Sequence, residues 1–338
     1  MFQPLYQPLA GHITLVPNAA YSPLSVVAHP NSGVHYPPVR LARLATLPSG
    51  VAHTQHSYWE ERLGGTVRRT SIEKDLPLAW EPQANGRAVV TYAATTPPVL
   101  KKADLSAMEQ TVLLLSGLYQ RLELDASPAG ELLALRNHAE VSQAWAGVRQ
   151  ELIRRSGGED EMTKQLIISL DALLQRPQAL FASLSYDYAY GFLLPNVYQQ
   201  RFESGFRYEQ ARQFPQFFAD TDLWFQERLE VGAPAAPNRV TLALSGRLDT
   251  TRTDVAAVAR HVDAARGAAA GSMAPNRFFS PAPAPAAPTD PAALRCAYDA
   301  TYEFDAATGW PVALEASVHC RVGDDYCKEY FLRFEQRP

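Results

Sequence analysis

The strongest constraint on the fold of this chain is a regular alternation of apolar and polar side chains near its C-terminus. In CAYDATYEFD (296–305) the apolar residues stand at every second position. The pattern returns in WPVALEASVHCRV (310–322) and in EYFLRFE (329–335). A period of two residues places the apolar side chains on one face of a β-strand. The sequence therefore predicts three consecutive antiparallel strands between residues 295 and 335.

The same alternation fixes the turns and the buried face of this C-terminal meander. Turns are expected near 305–309 and 323–325. Leu314 and Phe334 should be buried, while Arg333 should face solvent. A register shift of one residue would reverse this assignment, because it moves every side chain to the opposite face.

The chain has three cysteines, too few for a disulfide scaffold in a chain of this length. In the predicted register Cys320 lies on the apolar face and Cys327 on the other. A bridge between Cys320 and Cys327 would force the last strand to bury Arg333. We therefore predict free thiols, with Cys296 and Cys320 as small core residues.

Residues 39 to 92 also have the character of β-strands. The strand-like runs are VRLARLATL, VAHTQHSYWEERL, TVRRTSIE and RAVVTYAA. The connecting PSG, GG and PQANG supply Gly or Asn for the positive φ of tight turns. This part is predicted to form an antiparallel meander.

Two helices are predicted in the middle of the chain. The first follows Asn137 as N-cap, with Glu140 in the capping-box position and Trp145 in an apolar stripe, and it stops at Gly157. A buried Trp145 is expected from this stripe. MTKQLIISLDALLQ, residues 162–175, repeats the helical period.

The aromatic residues are concentrated between Phe181 and Phe225, which holds 14 of the chain's 34. Within it, YDYAYGF (186–192) satisfies both a strand period and a helix period. The helix-like run that begins at Pro177 favours a helix that breaks near Gly191 over a strand. Two interpretations of its aromatic side chains remain open: they fill the core, which is the simpler one, or they line a ligand site. The candidate ligand-binding residues are Tyr186, Tyr188, Tyr190 and Phe192.

Two segments share a hairpin pattern. ELDASPAGELLAL (123–135) and EFDAATGWPVAL (303–314) each have Asp-Ala, a short turn that closes on Gly, and then Ala-Leu. The shared pattern is compatible with an internal duplication. It is also compatible with two independent occurrences of the same type of turn. The second hairpin resembles turns common in antiparallel β proteins, including half-barrel lipid carriers, and the resemblance assigns no functional residue.

Composition divides the chain into six stretches. Alternating Pro and Ala in SPAPAPAAPTDPAA favour extended chain over a packed core. The predicted stretches are an irregular arm (1–38), a β-rich region (39–136), a helical, aromatic-rich region (137–220), a strand pair plus helix (221–279), a linker or surface loop (280–293) and the C-terminal meander (294–338). The predicted fold class is α+β, with antiparallel meanders at both ends flanking or packing on a central helical layer.

Charge and hydropathy exclude several classes of protein. A net charge of −4 gives no basic surface for nucleic acid. The absence of an 18-residue apolar run predicts no transmembrane helix. The first 21 residues lack the pattern of a secretory signal, so a cytoplasmic location is the default expectation, with non-standard export left open.

Motifs for metal or cofactor binding are not found. His53 and His56 stand three apart on a predicted strand and therefore on opposite faces, which favours solvated or core histidines over a metal pair. Asp324 and Asp325 offer too few oxygens for calcium. We predict no cofactor and no metal.

No acid, base and nucleophile constellation is visible in the sequence. This favours a non-enzymatic scaffold or binding protein that acts through a sheet surface or an aromatic-lined groove. Its partner would be a protein or an apolar small molecule. The alternative is a hydrolase-type enzyme whose scattered site residues form no recognisable motif.

Overall fold

The fold is described from a computed structural model. The residues that it describes are 25–28, 39–40, 52–83, 86–94, 99–100, 107–156, 160–184, 188–193, 195–198, 201–203, 206–218, 221–233, 236–272 and 289–337.

About half of the described chain is β-structure. The strands are β1 (Ser25–Ala28), β2 (Val39–Arg40), β3 (Ala52–Leu63), β4 (Thr66–Pro82), β5 (Ala88–Ala93), β6 (Val99–Leu100), β7 (Arg121–Ala126), β8 (Leu132–Leu135), β9 (Arg201–Phe202), β10 (Phe206–Phe218), β11 (Thr221–Val231), β12 (Arg239–Leu248), β13 (Leu294–Asp305), β14 (Pro311–Val322) and β15 (Tyr326–Gln336).

The helices are fewer and are concentrated between β6 and β9. They are α1 (Ala107–Ser116), α2 (His138–Ser156), α3 (Glu161–Leu174), α4 (Pro177–Leu184), α5 (Tyr188–Leu193) and, later in the chain, α6 (Val255–Ser272). Two 3₁₀ turns, Gly117–Tyr119 and Pro291–Ala293, complete the described secondary structure.

Within the described residues, one antiparallel sheet contains 13 strands. Its order is β1-β10-β11-β12-β13-β14-β15-β3-β4-β5-β7-β8, and β6 pairs with β4 off this path. Strands β2 and β9 form a separate two-stranded sheet. The fold is therefore dominated by sheet.

The C-terminal meander is confirmed. Strands β13, β14 and β15 are consecutive and antiparallel, with turns at residues 306–310 and 323–325. Leu314 and Phe334 are buried and pair across β14 and β15, while Arg333 is exposed. The register predicted from the alternation is correct because burial of one apolar face strongly specifies register.

The prediction of free thiols at Cys296 and Cys320 is wrong. The two residues are a directly opposite pair on β13 and β14, their Cα atoms are 4.1 Å apart, and they form a disulfide. Cys327 is free. The prediction considered only a bridge between Cys320 and Cys327. The β13–β14 register instead brings together Cys296 and Cys320, which are 24 residues apart. Both bridged residues are buried, as predicted.

The N-terminal meander is confirmed for β3, β4 and β5, which pair consecutively. Gly64 at the β3–β4 turn has φ +56°, which matches the predicted turn chemistry. In the first strand-like run, Val39–Arg40 pairs with β9 instead of joining the meander, and residues 41–47 lie outside the described residues.

The two predicted hairpins are both present, as β7–β8 and β13–β14. Gly130 and Gly309 close them with φ values of +96° and +72°. The Asp305 carboxylate accepts hydrogen bonds from the backbone N–H groups of Ala307 and Thr308. This explains how Asp opens the second turn.

The predicted helices at 137–157 and 162–175 are confirmed as α2 and α3. Asn137 precedes α2, and its side chain joins the helix to the sheet: Oδ1 accepts from the backbone N–H of Glu123, and Nδ2 donates to the Arg121 carbonyl. Trp145 is buried, and its indole N–H donates to Asp171 on α3.

The helical stretch predicted for 137–220 ends earlier than expected, because residues 206–218 form β10. Tyr208, Gln210, Arg212 and Phe214 stand at alternate positions and are all buried. The strand period was hidden in the sequence because two of these inward-facing residues are polar.

The predicted central helical layer between two meanders is not confirmed. Strand β15 pairs with β3 along its length, so the meanders form one continuous sheet. Pairing of these two edges satisfies their backbone hydrogen bonds. Helix α2 packs on α3 and α3 on α4, and α4 contacts β8, the terminal strand of the sheet.

The sheet is curled so that distant strands face each other. The ring of Trp59 on β3 lies 5.3 Å from the ring of Phe217 on β10, measured between centroids, although five strands separate β3 from β10 in the sheet order. The ring of Phe218 on β10 makes a similar contact with the ring of Tyr326 on β15, with a centroid distance of 6.3 Å. The concave side formed in this way is called the inner face below.

Candidate functional site

Helix α5 carries the predicted aromatic residues and lies against the inner face. Residues 188–193 are helical, as the sequence favoured, but Gly191 lies inside α5 and not at a break. Tyr188, Tyr190 and Phe192 are all buried. Tyr186 lies outside the described residues.

Tyr188 joins three strands of the sheet. Its ring contacts Trp59 on β3, Tyr330 on β15 and Phe214 on β10, with centroid distances of 5.5, 5.2 and 5.3 Å. Its hydroxyl donates to the Pro215 carbonyl at 2.6 Å. A buried tyrosine with a bonded hydroxyl fits core packing.

Phe192 and Tyr190 extend this packing in two directions. The Phe192 ring contacts Phe214 and Tyr298 at 5.7 Å each, and the Phe192 carbonyl accepts from the Tyr302 hydroxyl. The Tyr190 ring packs edge-on against Tyr92 on β5. Helix α5 therefore packs against strands from both halves of the curled sheet.

A charged network lies buried beside α5. Arg212 on β10 and Glu227 on β11 form an ion pair at 3.2 Å with almost no side-chain exposure. Arg212 also donates to the Tyr298 hydroxyl, and Gln210 donates to Glu227. The Arg212 guanidinium lies 4.3 Å from the centroid of Phe192. These charges satisfy each other, which is the condition for burying an ion pair.

A second polar group on the inner face is less well satisfied. His53, Gln55 and Ser57 occupy alternate positions on β3, and all three are buried; they are called the β3 polar row below. Gln55 Nε2 donates to Ser57 Oγ at 3.5 Å, but Gln55 Oε1 and both ring nitrogens of His53 make no hydrogen bond of standard geometry within the described structure. Burial lowers the pKa of His53 to about 4, and a hydrogen-bonding interaction with the Pro311 backbone, outside standard geometry, opposes this shift.

The third polar feature is Lys328 on β15, whose ammonium is surrounded by aromatic rings. Its Nζ lies 5.6 Å from the centroid of Trp59, 5.7 Å from Phe217 and 5.2 Å from Phe218. Lys328 stands opposite Glu61 in the β15–β3 register. The neighbouring Tyr326 donates its hydroxyl to Glu61 at 2.7 Å.

The structure brings together three of the four predicted aromatic residues and adds residues that the sequence reasoning missed. His53 and His56 were predicted to lie on opposite faces of the strand. His53 is buried as a core histidine, and His56 contacts Phe331 on the other face. The β3 polar row was not recognised as a group. Its signal was present in HTQHSYWEE, where His53, Gln55 and Ser57 share one strand face with Trp59.

No group of three or more His, Cys, Asp or Glu residues in the described part of the chain could hold a metal ion. No helix in the same part of the chain is long and apolar enough to cross a membrane.

Comparison with solved structures gives distant similarities. No family model matches the chain, and no curated protein matches it. A solved structure titled "Lipid-protein interactions in lipovitellin" is similar with a TM-score of 0.40 and 7% sequence identity. The match covers 85% of this chain and 25% of that chain, so this chain spans about a quarter of the length of its structural neighbour. No functional conclusion is drawn from a similarity this distant.

Proposed function

We propose that this is a non-enzymatic binding protein that holds an apolar small molecule with one polar group on the inner face of its sheet. The ligand would lie between β3 and helix α5, where Tyr188 and Trp59 supply aromatic surface. Its polar group would pair with the β3 polar row. Tyr186, Tyr190 and Phe192 remain candidate contacts in this proposal.

The observation that carries the proposal is the buried β3 polar row, in which Gln55 Oε1 makes no hydrogen bond to the described residues and the His53 ring makes none of standard geometry. Leaving a buried donor or acceptor without a partner costs about 1–3 kcal/mol. Natural cores rarely retain such groups without a reason. A ligand hydroxyl could donate to Gln55 Oε1 or to a His53 ring nitrogen, and it would remove this cost.

The spacing within the row argues against a hydrolase that uses Ser57 as nucleophile and His53 as its base. His53 and Ser57 are four residues apart on one strand, so their Cα atoms are roughly 13 Å apart. A serine nucleophile and its base must come within about 3 Å of each other. The buried Glu227 is already engaged by Arg212 and Gln210.

The disulfide bears on where the protein acts. The Cys296–Cys320 bridge would persist in an oxidising compartment and would be reduced in most cytosols. The cytoplasmic location expected from the N-terminal sequence stays a prediction, and the bridge favours an oxidising environment instead.

A displacement titration tests the proposal. Nile red, a neutral fluorescent probe, should bind the native protein saturably. Decanol should displace Nile red with an affinity about 3 to 10 times higher than that of decyl methyl ether, which has no hydroxyl donor. This ratio corresponds to the free energy of one buried hydrogen bond. This preference should disappear in Gln55→Leu.

The matched control is His56→Leu, which changes the same strand on its other face. It should leave both probe affinity and the preference for decanol unchanged. Absence of saturable Nile red binding would refute the proposed function. Equal effects of Gln55→Leu and His56→Leu would refute the assignment of the β3 polar row.

A further inference from the structure

Lys328 is unusual among the described charged residues because aromatic rings surround its ammonium and none of the described carboxylates binds it directly. It forms no ion pair with any described residue, whereas most of the arginines there do. Its side chain lies on the inner face and is partly exposed. A ligand must therefore enter the ring cluster to reach the amine.

The surroundings of Lys328 favour a reactive amine. Burial among the rings lowers the pKa of Lys328 to about 8, and the charge of Glu61 opposes this shift. Other ionisable groups near the cluster are Tyr326 on β15 and His261 on α6, whose ring contacts Phe218. An amine with a pKa near 8 has a substantial neutral fraction at neutral pH, and the neutral amine is the nucleophile.

From this geometry we propose a second, covalent site on the inner face, which goes beyond the proposed function: Lys328, opposite Glu61 and six residues along β3 from Gln55, forms an imine with an apolar aldehyde. The neutral Nζ attacks the carbonyl carbon, and an N–C bond forms. The carbonyl oxygen then leaves as water with the two amine protons, and a C=N bond remains. No oxidant or reductant is consumed, and the step is reversible by hydrolysis.

The neighbouring groups match the needs of a protonated imine. The neutral imine nitrogen takes up one proton from solvent, and the positive charge would lie between the faces of Trp59, Phe217 and Phe218, which attract cations. Glu61, directly opposite, would supply the counter-charge, and the Tyr326 hydroxyl orients that carboxylate. Glu61 is thus assigned as a positioning residue.

Reductive trapping tests the inference. The folded full-length protein is treated with decanal and cyanoborohydride, which converts an imine into a stable secondary amine, and the modified lysine is located by peptide mass spectrometry. The chain has only five lysines, so assignment is direct. Lys328 should be labelled at least about tenfold faster than the exposed Lys164 near neutral pH, since each pKa unit changes the neutral fraction by up to tenfold.

The variants separate a reactive lysine from a merely accessible one. Lys328→Met should abolish the fast labelling, and Lys164→Met should retain it. The pH midpoint of Lys328 labelling should lie near 8, and Glu61→Gln should move it to lower pH because Glu61 raises the pKa of Lys328. Matching thermal melts of the variants show that the fold is intact.

The outcomes are distinguishable from those of the proposed function. Nile red binding without selective trapping at Lys328 would overturn this inference alone. Labelling of Lys328 and Lys164 at similar rates, or an unchanged midpoint in Glu61→Gln, would do the same. Failure of Nile red to bind would refute the proposed function independently of the amine chemistry.

Discussion

The imidazole of His53 stacks on the ring of Phe334, with centroids 4.4 Å and planes 13° apart. The two side chains come from opposite ends of the sequence and meet because β3 and β15 pair. The contact holds a histidine in apolar surroundings at the centre of the sheet. Its charge state should therefore influence stability.

The first prediction is a pH dependence due to His53. Its pKa is lowered from 6.5 to about 4 in the fold. Its stabilising contribution is fully present above pH 6.5, and it is lost as the pH falls toward 4, because the unfolded chain then binds the proton more readily. Between about pH 7.5 and 4.5 the loss is about 2–3 kcal/mol.

Denaturant melts at several pH values check this. His53→Leu should show a shallower decline in the free energy of unfolding toward low pH, while His56→Leu should follow the wild-type slope. Identical slopes for His53→Leu and wild type would contradict a buried neutral His53.

The second prediction concerns Trp145, which joins α2 to α3. Trp145→Ala should lower the free energy of unfolding by about 3–5 kcal/mol, as large aromatic truncations in cores do. Trp145→Phe should cost less, because it keeps most of the apolar contact and loses the hydrogen bond to Asp171. Unchanged stability of Trp145→Ala in a denaturant melt would show that the side chain is not part of the core.

The third prediction concerns the buried pair of Arg212 and Glu227. Glu227→Leu should destabilise the protein by about 3–5 kcal/mol, because it leaves the Arg212 charge buried without its partner. The double variant Arg212→Met with Glu227→Leu should be more stable than Glu227→Leu alone. Additive losses in this double-mutant cycle would mean that the two side chains do not interact.

The fourth prediction is a thiol count. Under denaturing conditions without reductant, one thiol, that of Cys327, should react with an alkylating reagent, and all three should react after reduction. Intact mass spectrometry gives the number directly. Three reactive thiols in protein purified under oxidising conditions would contradict the Cys296–Cys320 bridge.

The sequence predicted features that depend on neighbouring residues. The register that buries Leu314 and exposes Arg333 was predictable because alternation within a hairpin is a local property. The helix containing Trp145 was predictable from its apolar stripe for the same reason. The turns at Gly64 and Gly309 followed from the need for positive φ.

Features that depend on pairing between distant segments were not predicted. The β3–β15 pairing, and with it the single curled sheet, leaves no local signal. The Cys296–Cys320 bridge is a different case: it lies within the predicted β13–β14 hairpin, whose register already places the two cysteines opposite each other, and the prediction of free thiols did not consider this pair. The rings around Lys328 come from β3 and β10, which meet only when the sheet curls, so the candidate site could not be assembled from sequence.

A crystal structure of the protein with bromodecanol tests the central claim most directly. The account predicts an anomalous bromine peak on the inner face, between β3 and α5, with the ligand hydroxyl within hydrogen-bonding distance of Gln55 or His53. In Gln55→Leu crystals the peak should weaken or disappear. A ligand bound only on the outer surface, or no bound ligand at saturating concentration, would contradict the assignment of the sheet interior as a binding site.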